Sequence, residues 1–217
     1  MKKLLIREMK LSASLLSYLF IVFGAMTLIP GYPILVGAFF VSFGLFQSFQ
    51  AARENNDITF SLLLPVAKAD VVRSKFIFCV FIEMCGFALM TALTLVRMTV
   101  LRDSVVYRSN AMMNANLVFL GFALLIFGCF HLVFVRGFFK TAYYYGKPFV
   151  KYIIAAFLVI GCAEALHHIP GLEGVNAFGF DNMGLQAAAL CCGALLYVLM
   201  TAAALRSSIH SFEQIDL

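Results

Sequence analysis

Charged residues are scarce in this sequence: they make up 12% of its 217 residues, whereas 63% are hydrophobic and the mean hydropathy is +0.95. A soluble domain carries about twice that share of charge, so the composition excludes a water-soluble globular protein. The sequence also lacks the segments of alternating polarity that a membrane β-barrel needs, because its apolar runs are hydrophobic on every side. We therefore expect an all-α, polytopic membrane protein that forms a single transmembrane domain.

The sequence also lacks the motifs of nucleotide-binding and metal-binding proteins. No phosphate loop of the form G-x-x-x-x-G-K-[ST] occurs, so we expect no ATP hydrolysis by this chain. No cysteine lies in a C-x-x-C pair or beside a histidine at ligand spacing, which argues against a metal site. The cysteines all fall in apolar stretches, where free thiols pack as small hydrophobes: Cys79, Cys85, Cys129, Cys162, Cys191 and Cys192. We expect no catalytic residue and no bound cofactor or metal.

Long apolar runs are what the sequence has in abundance. A helix needs roughly 20 mostly apolar residues to cross about 30 Å of hydrocarbon, and the sequence offers six candidates, of which the second is the shortest. We predict transmembrane helices at residues 13–30, 33–49, 76–96, 116–135, 150–167 and 185–205.

Lysine and arginine are distributed unevenly across these six spans. Only Arg97, Arg102 and Arg108 lie on one side, and by the positive-inside rule the other side is cytoplasmic. Both termini are then predicted to face the cytoplasm, and topology accounts for the net charge of +5 without a nucleic-acid partner. The predicted cytoplasmic side holds Lys2, Lys3, Arg7, Lys10, Arg53, Lys68, Arg73, Lys75, Arg136, Lys140, Lys147, Lys151 and Arg206.

The basic N-terminus allows two interpretations. Residues 1–12 place leucines and a methionine against lysines and an arginine, which suits a helix lying on an anionic membrane surface. A basic leader that only orients the first span fits equally well. The apolar run that follows is longer than the core of a signal peptide and no cleavage site precedes Gly31, so we expect the first span to be retained.

A charged island separates the second and third predicted spans, at residues 50–75 (QAARENNDITFSLLLPVAKADVVRSK). Residues 55–57 (Asn-Asn-Asp) are helix-capping types, residues 58–64 form a short amphipathic run, and Pro65 ends it because proline has no N–H to donate. Residues 70–75 then restart a helix that continues into the third span. The pattern predicts a helix, a proline break and a helix. The same apolar stripe would also serve an interfacial helix resting on lipid.

A few polar residues lie inside the predicted spans. Glu83 lies near the middle of the third span, where an ionised carboxylate is costly unless it is paired, hydrated or protonated. His131 lies in the fourth span and Glu164 in the fifth, just before two histidines. These three residues are candidates for a translocation path, or for structural contacts between helices and a polar rim at the interface.

The stretch SLLLPVAKADVVRSKF, which opens the third of six spans, resembles the permease subunit of ABC-2 type transporters, and the segment FFKTAYYYGKPFVKY is also similar to small bacterial permeases of this kind. The resemblance implies that the island carries a coupling helix that docks on a separate ATPase. This sequence departs from the family at Ala67, where Ser or Thr is common. Asp70 or water is therefore left to accept hydrogen bonds from the free backbone N–H groups at the start of the next helix. The residues implied in coupling are Asn56, Asp57, Leu62, Leu64, Pro65, Val66, Lys68 and Asp70.

The resemblance further implies an exporter subunit in the bacterial plasma membrane, which dimerises with itself or a sibling and pairs with a cytoplasmic ABC ATPase that holds ATP and Mg. Its apolar helices favour an amphipathic substrate, such as a lipid, a peptide or a hydrophobic drug. Two other functions stay open from the residues alone. The chain would be a membrane enzyme acting on a lipid through Glu83, His131 and Glu164, or a non-transporting scaffold that recruits a cytoplasmic partner through the island.

Two loops are predicted on the outer side. Residues 168–184 are rich in glycine and asparagine, and in the ABC-2 family this region holds short re-entrant helices, so residues 175–180 are expected to dip into the interface. Residues 97–113 carry three arginines that suit a solvated cap or a site for lipid phosphate or an acidic substrate group.

Overall fold

The computed structural model describes residues 6–9, 14–56, 60, 66–141 and 144–215, and these residues form helices and loops without a β-strand. The predicted all-α class is therefore confirmed. A short 3-10 turn, Glu173–Asn176, lies between the last two long helices. The helices are α1 (Leu15–Leu28), α2 (Val36–Glu54), α3 (Lys68–Thr99), α4 (Val105–Arg108), α5 (Leu117–Lys140), α6 (Gly146–Leu166) and α7 (Met183–Glu213).

Four helices, α3, α5, α6 and α7, are long and apolar enough to cross a membrane. They lie at the third to sixth predicted spans. Helices α1 and α2 lie at the first and second but do not combine the length and hydropathy of the other four. Helix α2 has 19 residues, and polar side chains including Arg53 and Glu54 occupy its C-terminal part. Four helices with the length and hydropathy of membrane spans are thus observed among the described residues, and the six-span arrangement stays a prediction.

Helix α1 is short in residues but extended in shape. Five α-helical residues, Leu15–Leu19, are followed by nine 3-10 residues, Phe20–Leu28. Because a 3-10 helix rises about 2.0 Å per residue and an α-helix 1.5 Å, α1 reaches about 25 Å. Its residues pack closely on α2, where the Ser17 hydroxyl donates to the carbonyl of Gly44 at 2.8 Å. A Cβ on Gly44 would collide with Phe20, so the glycine is what admits this approach.

Helix α5 lies at the centre of the bundle. It is the most buried of the four long helices, with 72% of its apolar window inside the fold. Its aromatic side chains interlock with those of α2 and α6; the rings of Phe49 and Phe134, for example, meet edge to face at 5.1 Å. Such pairs add specific geometry to the van der Waals packing that holds helices together in lipid. The buried aromatic core includes Phe39, Phe46, Phe49, Phe119, Phe127, Phe130, Phe134, Phe138 and Tyr152.

Helices α5 and α7 cross at a contact made of small residues. A Cβ added to Gly121 would lie 2.7 Å from the carbonyl oxygen of Ala189, and a Cβ on Gly193 would collide with the backbone of Gly121. Small residues at a crossing let two backbones approach, which is the usual way for membrane helices to gain contact area. The crossing fixes α7 against the central helix.

The outer faces of α6 and α7 expose large apolar side chains. On α6 these include Ile154 and Leu158, and on α7 they include Leu195 and Leu199, which are 55–63% exposed. A soluble protein would not leave this much apolar surface in water. These faces are therefore suited to lipid or to another membrane-spanning helix.

Candidate functional site

At one end of the bundle, the described part of the charged island shows how α3 begins. The helix predicted to restart at residues 70–75 of the island is confirmed, and it begins two residues earlier, at Lys68. Ala67 takes the N-cap position in extended conformation and makes no side-chain capping bond, so α3 lacks a side-chain cap at this position. Asn56 ends the preceding helix region in the left-handed conformation, with φ of 50°. The predicted coupling residues Asp57, Leu62, Leu64 and Pro65 lie outside the described residues.

Two predicted coupling residues already have partners within the chain. The ammonium of Lys68 donates to the backbone carbonyl of Ile215 at 2.7 Å, which ties the start of α3 to the C-terminal end of α7. Asp70 accepts from Arg73 at 3.1 Å, in a partly exposed pair one turn apart on α3. Asp70 therefore remains accessible to a partner, whereas Lys68 is engaged in holding two long helices together.

A buried ion pair joins the N-terminal segment to the same end of α3. The ammonium of Lys75 lies 2.7 Å from the carboxylate of Glu8, and both side chains are at most 5% exposed. The Tyr18 hydroxyl donates to the backbone carbonyl of Met9 at 2.8 Å. Residues 6–9 are helical and Glu8 is buried, so this segment is held against the bundle by polar contacts.

In the middle of the bundle, four polar side chains from three helices meet. The Tyr197 hydroxyl donates to Glu83 Oε2 at 2.8 Å. His131 Nε2 lies 3.2 Å from the same oxygen, without the alignment of a hydrogen bond. On its other side, His131 Nδ1 lies 2.8 Å from the hydroxyl of Thr201. We call the residues Glu83, His131, Tyr197 and Thr201 the polar core.

Local structure positions each member of the polar core. Glu83 lies midway along the 32 residues of α3, and Tyr197 lies midway along the 31 residues of α7, with Thr201 one turn further. His131 lies in a π-helical stretch of α5, Phe130–Val135. A π-turn widens the helix and re-aims the side chains that follow, and such turns are frequent at functional sites. The rings of Phe76 and Tyr197 flank His131 at 5.4 Å and 5.8 Å between centroids.

Glu83 and His131, the two ionisable residues of the polar core that contact each other, are sealed from their surroundings. The side chains of Glu83 and His131 are 0% exposed, and Glu83 Oε1 has no hydrogen-bond partner among the described residues. Because neither group reaches lipid or water in this conformation, the pair is not placed to attack a substrate. Hydrogen bonds between polar side chains hold helices together inside a membrane, and ionisable residues within spans are commonly functional. Within the described residues no group of acidic, histidine or cysteine side chains is arranged to hold a metal.

Glu164, the third predicted intramembrane residue, lies apart from the other two. Its carboxylate accepts the backbone N–H of Met113 at 2.7 Å, in the loop that precedes α5. The neighbouring His167 ring nitrogen lies 3.1 Å from the carbonyl oxygen of Ala111, and its ring packs on His168 with 4.0 Å between centroids. The structure thus brings Glu83 and His131 together and uses Glu164 to anchor α6 to the loop before α5.

The other end of the bundle is closed around a buried arginine. Arg97 is 4% exposed in the last turn of α3, rather than in a solvated loop. Its guanidinium donates to the carbonyl of Thr27 at 2.9 Å and to the side chain of Asn114 at 2.8 Å. It also lies over the ring of Tyr107, 4.1 Å from the centroid. Arg97 therefore joins α1, α3 and the 100–116 loop through one side chain.

Asparagine and glutamine side chains continue this network into the loop between α6 and α7. The backbone N–H of Asn114 donates to the side-chain oxygen of Asn176 at 2.5 Å. The side-chain amide of Asn116 donates to the carbonyl of Val175 at 2.9 Å, and its side-chain oxygen caps α5 by accepting from the N–H of Phe119. Gln186, fully buried at the start of α7, accepts from the N–H of Leu117 at 3.1 Å. We call Arg97, Asn114, Asn116, Asn176 and Gln186 the outer network.

The predicted outer loop, residues 168–184, consists of successive turns and the 3-10 helix Glu173–Asn176 before α7 begins at Met183. Phe180 is 48% exposed, and a re-entrant position of this loop in the interface stays a prediction. Arg102 forms an exposed ion pair with Asp181 at 3.1 Å, which adds a surface contact between the two predicted outer loops. The loops are thus bound to each other by polar groups, so this end of the bundle is shut in the structure.

Comparison with known proteins gives one informative result. A family model described as ABC-2 family transporter protein matches residues 3–213. No curated protein and no solved structure matches the chain. The match covers nearly all of the sequence, including the island, the polar core and the outer network.

Proposed function

The chain belongs to the ABC-2 transporter family, and on this premise we propose that it is the membrane-spanning permease subunit of an exporter, driven by a separate ABC ATPase. The sequence has no phosphate loop of its own, so ATP and Mg would be bound by the partner. Two permease copies, or this chain and a sibling, would form the transmembrane part in a bacterial plasma membrane. Both termini would face the cytoplasm, as the lysine and arginine bias predicts.

The observation that carries this proposal is the continuity of α3. The helix begins at Lys68, within the charged island, and runs unbroken for 32 residues to Thr99. Along it lie the ion-paired Lys75, the polar-core residue Glu83 and the outer-network residue Arg97. A force applied by an ATPase at the island would therefore be transmitted by one rigid element to the centre and to the far end of the bundle.

The substrate class follows from the surfaces of the described helices. Their exposed faces are largely apolar, and ionisable side chains are confined to the two ends of the bundle and to the buried Glu83 and His131. An amphipathic molecule, such as a lipid, a peptide or a hydrophobic drug, fits such surfaces better than a small ion does. We propose export of a molecule of this class.

Mutation of the island tests the coupling step. The tagged chain would be purified in mild detergent from its native membrane, and ATPase activity and co-purifying proteins would be measured for Leu64→Asp and Asp70→Lys. We expect a stoichiometric ATPase subunit with the unchanged chain and at least a tenfold loss of its recovery with both variants. Asp103→Lys is the matched control, because Asp103 is an exposed aspartate at the opposite end of the bundle.

Three outcomes would overturn the proposal. Equal recovery of the ATPase with the unchanged chain and both island variants would show that the island is not the coupling surface. A stable cytoplasmic partner without ATPase activity would instead assign the chain as a scaffold. A membrane enzyme would be indicated by ATP-independent turnover of lipid that is lost in Glu83→Gln.

A further inference from the structure

A cleft of about 380 Å³ opens on the surface of the bundle between α3 and α7. Its volume lies within the range of sites that bind small molecules or parts of lipids. Most of its walls are apolar, and the two polar contributions come from a guanidinium and a hydroxyl. The lining residues are Arg73, Phe76, Ile77, Val80, Thr201 and Leu205.

The polarity of the cleft changes along its length. Arg73 lies near the charged start of α3, and Ile77 and Val80 follow at spacings of four and three residues, so the three side chains lie on one stripe of the helix. From Arg73 to Val80 the stripe extends about 10 Å along the axis. A cation at the membrane-surface end and an apolar groove leading inward match a molecule with an anionic head and a hydrocarbon chain.

Arg73 has the capacity to bind a phosphate. One of its terminal nitrogens contacts Asp70 at 3.1 Å, and the pair is 52% and 34% exposed, so it is a weak surface ion pair. The fork of a guanidinium offers five donors, which suits an additional oxyanion with several acceptors. Arg206 follows Leu205 on the facing helix and is exposed, although it does not line the cleft itself.

We propose that this cleft binds an anionic phospholipid, with its phosphate at Arg73 and an acyl chain along Ile77, Val80 and Leu205. This proposal does not depend on the proposed export function. Thr201 lines the cleft and also contacts His131 at 2.8 Å, so a bound lipid lies one side chain away from the polar core. The lipid would thereby favour the conformation in which α3 and α7 are joined at their centres.

The absence of tryptophan from the chain makes the site directly measurable. Ile77→Trp places a single fluorophore at the cleft, where Ile77 is 44% exposed. The variant would be reconstituted in phosphatidylcholine vesicles that contain a fixed small fraction of either brominated phosphatidylglycerol or brominated phosphatidylcholine, and quenching of its fluorescence would be compared. Leu199→Trp is the control, because Leu199 is 55% exposed on α7 and lies two residues, about 200° around the helix, from Thr201.

We expect the anionic lipid to be enriched at Ile77→Trp by about two- to fivefold over the zwitterionic lipid, as one or two cations near a membrane surface predict. The control should be quenched equally by both lipids. Adding Arg73→Gln to Ile77→Trp should abolish the enrichment, whereas Arg73→Lys should retain part of it. Size-exclusion profiles and the Leu199→Trp signal in the Arg73→Gln background check that the fold is intact.

Equal quenching of Ile77→Trp by the two lipids would overturn the proposal, since the cleft would then be an unselective part of the lipid-facing surface. Quenching by neither lipid would also overturn it, because a protein segment, such as a second copy of this chain, would then cover the cleft. Enrichment that persists in Arg73→Gln would assign the charge selectivity to another group.

Discussion

Tyr197 donates a hydrogen bond of 2.8 Å to Glu83 at the centre of the bundle, joining α7 to α3 across 114 positions of sequence. In hydrocarbon this contact replaces what would otherwise be an unsatisfied hydroxyl and a more weakly paired carboxyl group. His131 and Thr201 extend it to α5 and back to α7. The central helix α5 is thus held between the two longest helices by polar contacts as well as by packing.

Removal of the Tyr197 hydroxyl tests the strength of this contact. We expect Tyr197→Phe to lower the free energy of unfolding by about 1–3 kcal/mol, because the buried acceptor on Glu83 loses its donor. Thermal unfolding in detergent would measure the change. Tyr32→Phe is the control, since Tyr32 is 41% exposed, and it should shift the stability by less than about 0.5 kcal/mol. A stability of Tyr197→Phe equal to that of the control would refute the role given to the bond.

The close crossing of α5 and α7 predicts that the effect of a Gly→Ala substitution on stability depends strongly on its position in α7. Gly193→Ala should destabilise the protein by about 1–3 kcal/mol, because the added methyl meets the backbone of Gly121 and the two helices must separate. Gly184→Ala, in the first turn of the same helix, has open space around its Cβ and should be neutral or slightly stabilising. The two variants would be compared by thermal unfolding and size-exclusion chromatography. Equal behaviour of the pair would contradict the close crossing.

Arg97 and Arg102 should respond differently to the same substitution. Arg97→Lys keeps the charge but loses the planar fork that reaches both Thr27 and Asn114, so we expect destabilisation by about 2–4 kcal/mol. Arg102→Lys affects an exposed ion pair with Asp181, and we expect a change of less than about 1 kcal/mol. Proteolysis of the outer loops in intact vesicles would report the difference as faster cleavage in Arg97→Lys alone. Similar cleavage rates would show that Arg97 does not hold the loops.

The buried pair of Lys75 and Glu8 predicts rescue by charge exchange. Glu8→Lys alone should release the N-terminal segment, because it places two like charges in a site that is nearly closed to water. The double variant Glu8→Lys with Lys75→Glu should recover a substantial part of the lost stability. Protease accessibility of residues 6–9 provides the measurement. A double variant that is no more protected than Glu8→Lys would indicate that the segment is held by other contacts.

The sequence was sufficient to predict the helical class and the position of the third to sixth spans, because long apolar runs leave few alternatives. It was also sufficient to single out Glu83, since an acidic residue inside a span is rare. It did not identify Tyr197 or Thr201 as partners. In a span that is apolar all round, a tyrosine or threonine has no periodic pattern to show which neighbour it faces.

The outer network escaped prediction for a different reason. Arg97 was assigned to a loop because a single arginine near the end of an apolar run usually marks the membrane boundary, but the structure continues α3 beyond it and buries its side chain. Its partners are the carbonyl of Thr27 and the amide of Asn114, which are uncharged and come from distant parts of the sequence. Contacts of this kind depend on how the loops fold over the bundle and carry no local sequence signal. The π-turn that positions His131 is likewise invisible in the hydropathy of α5.

The positions of the three polar contacts along α3 give the helix unequal arms. Lys75 lies about 12 Å from Glu83 and Arg97 about 21 Å from it on the other side, at 1.5 Å per residue. If Glu83 serves as a fulcrum, a small tilt displaces the far arm almost twice as much as the near one. A movement at Lys75 about half as large as the one needed at Arg97 would then break the bonds of Arg97. The force applied at Lys75 would have to be about twice the force acting at Arg97.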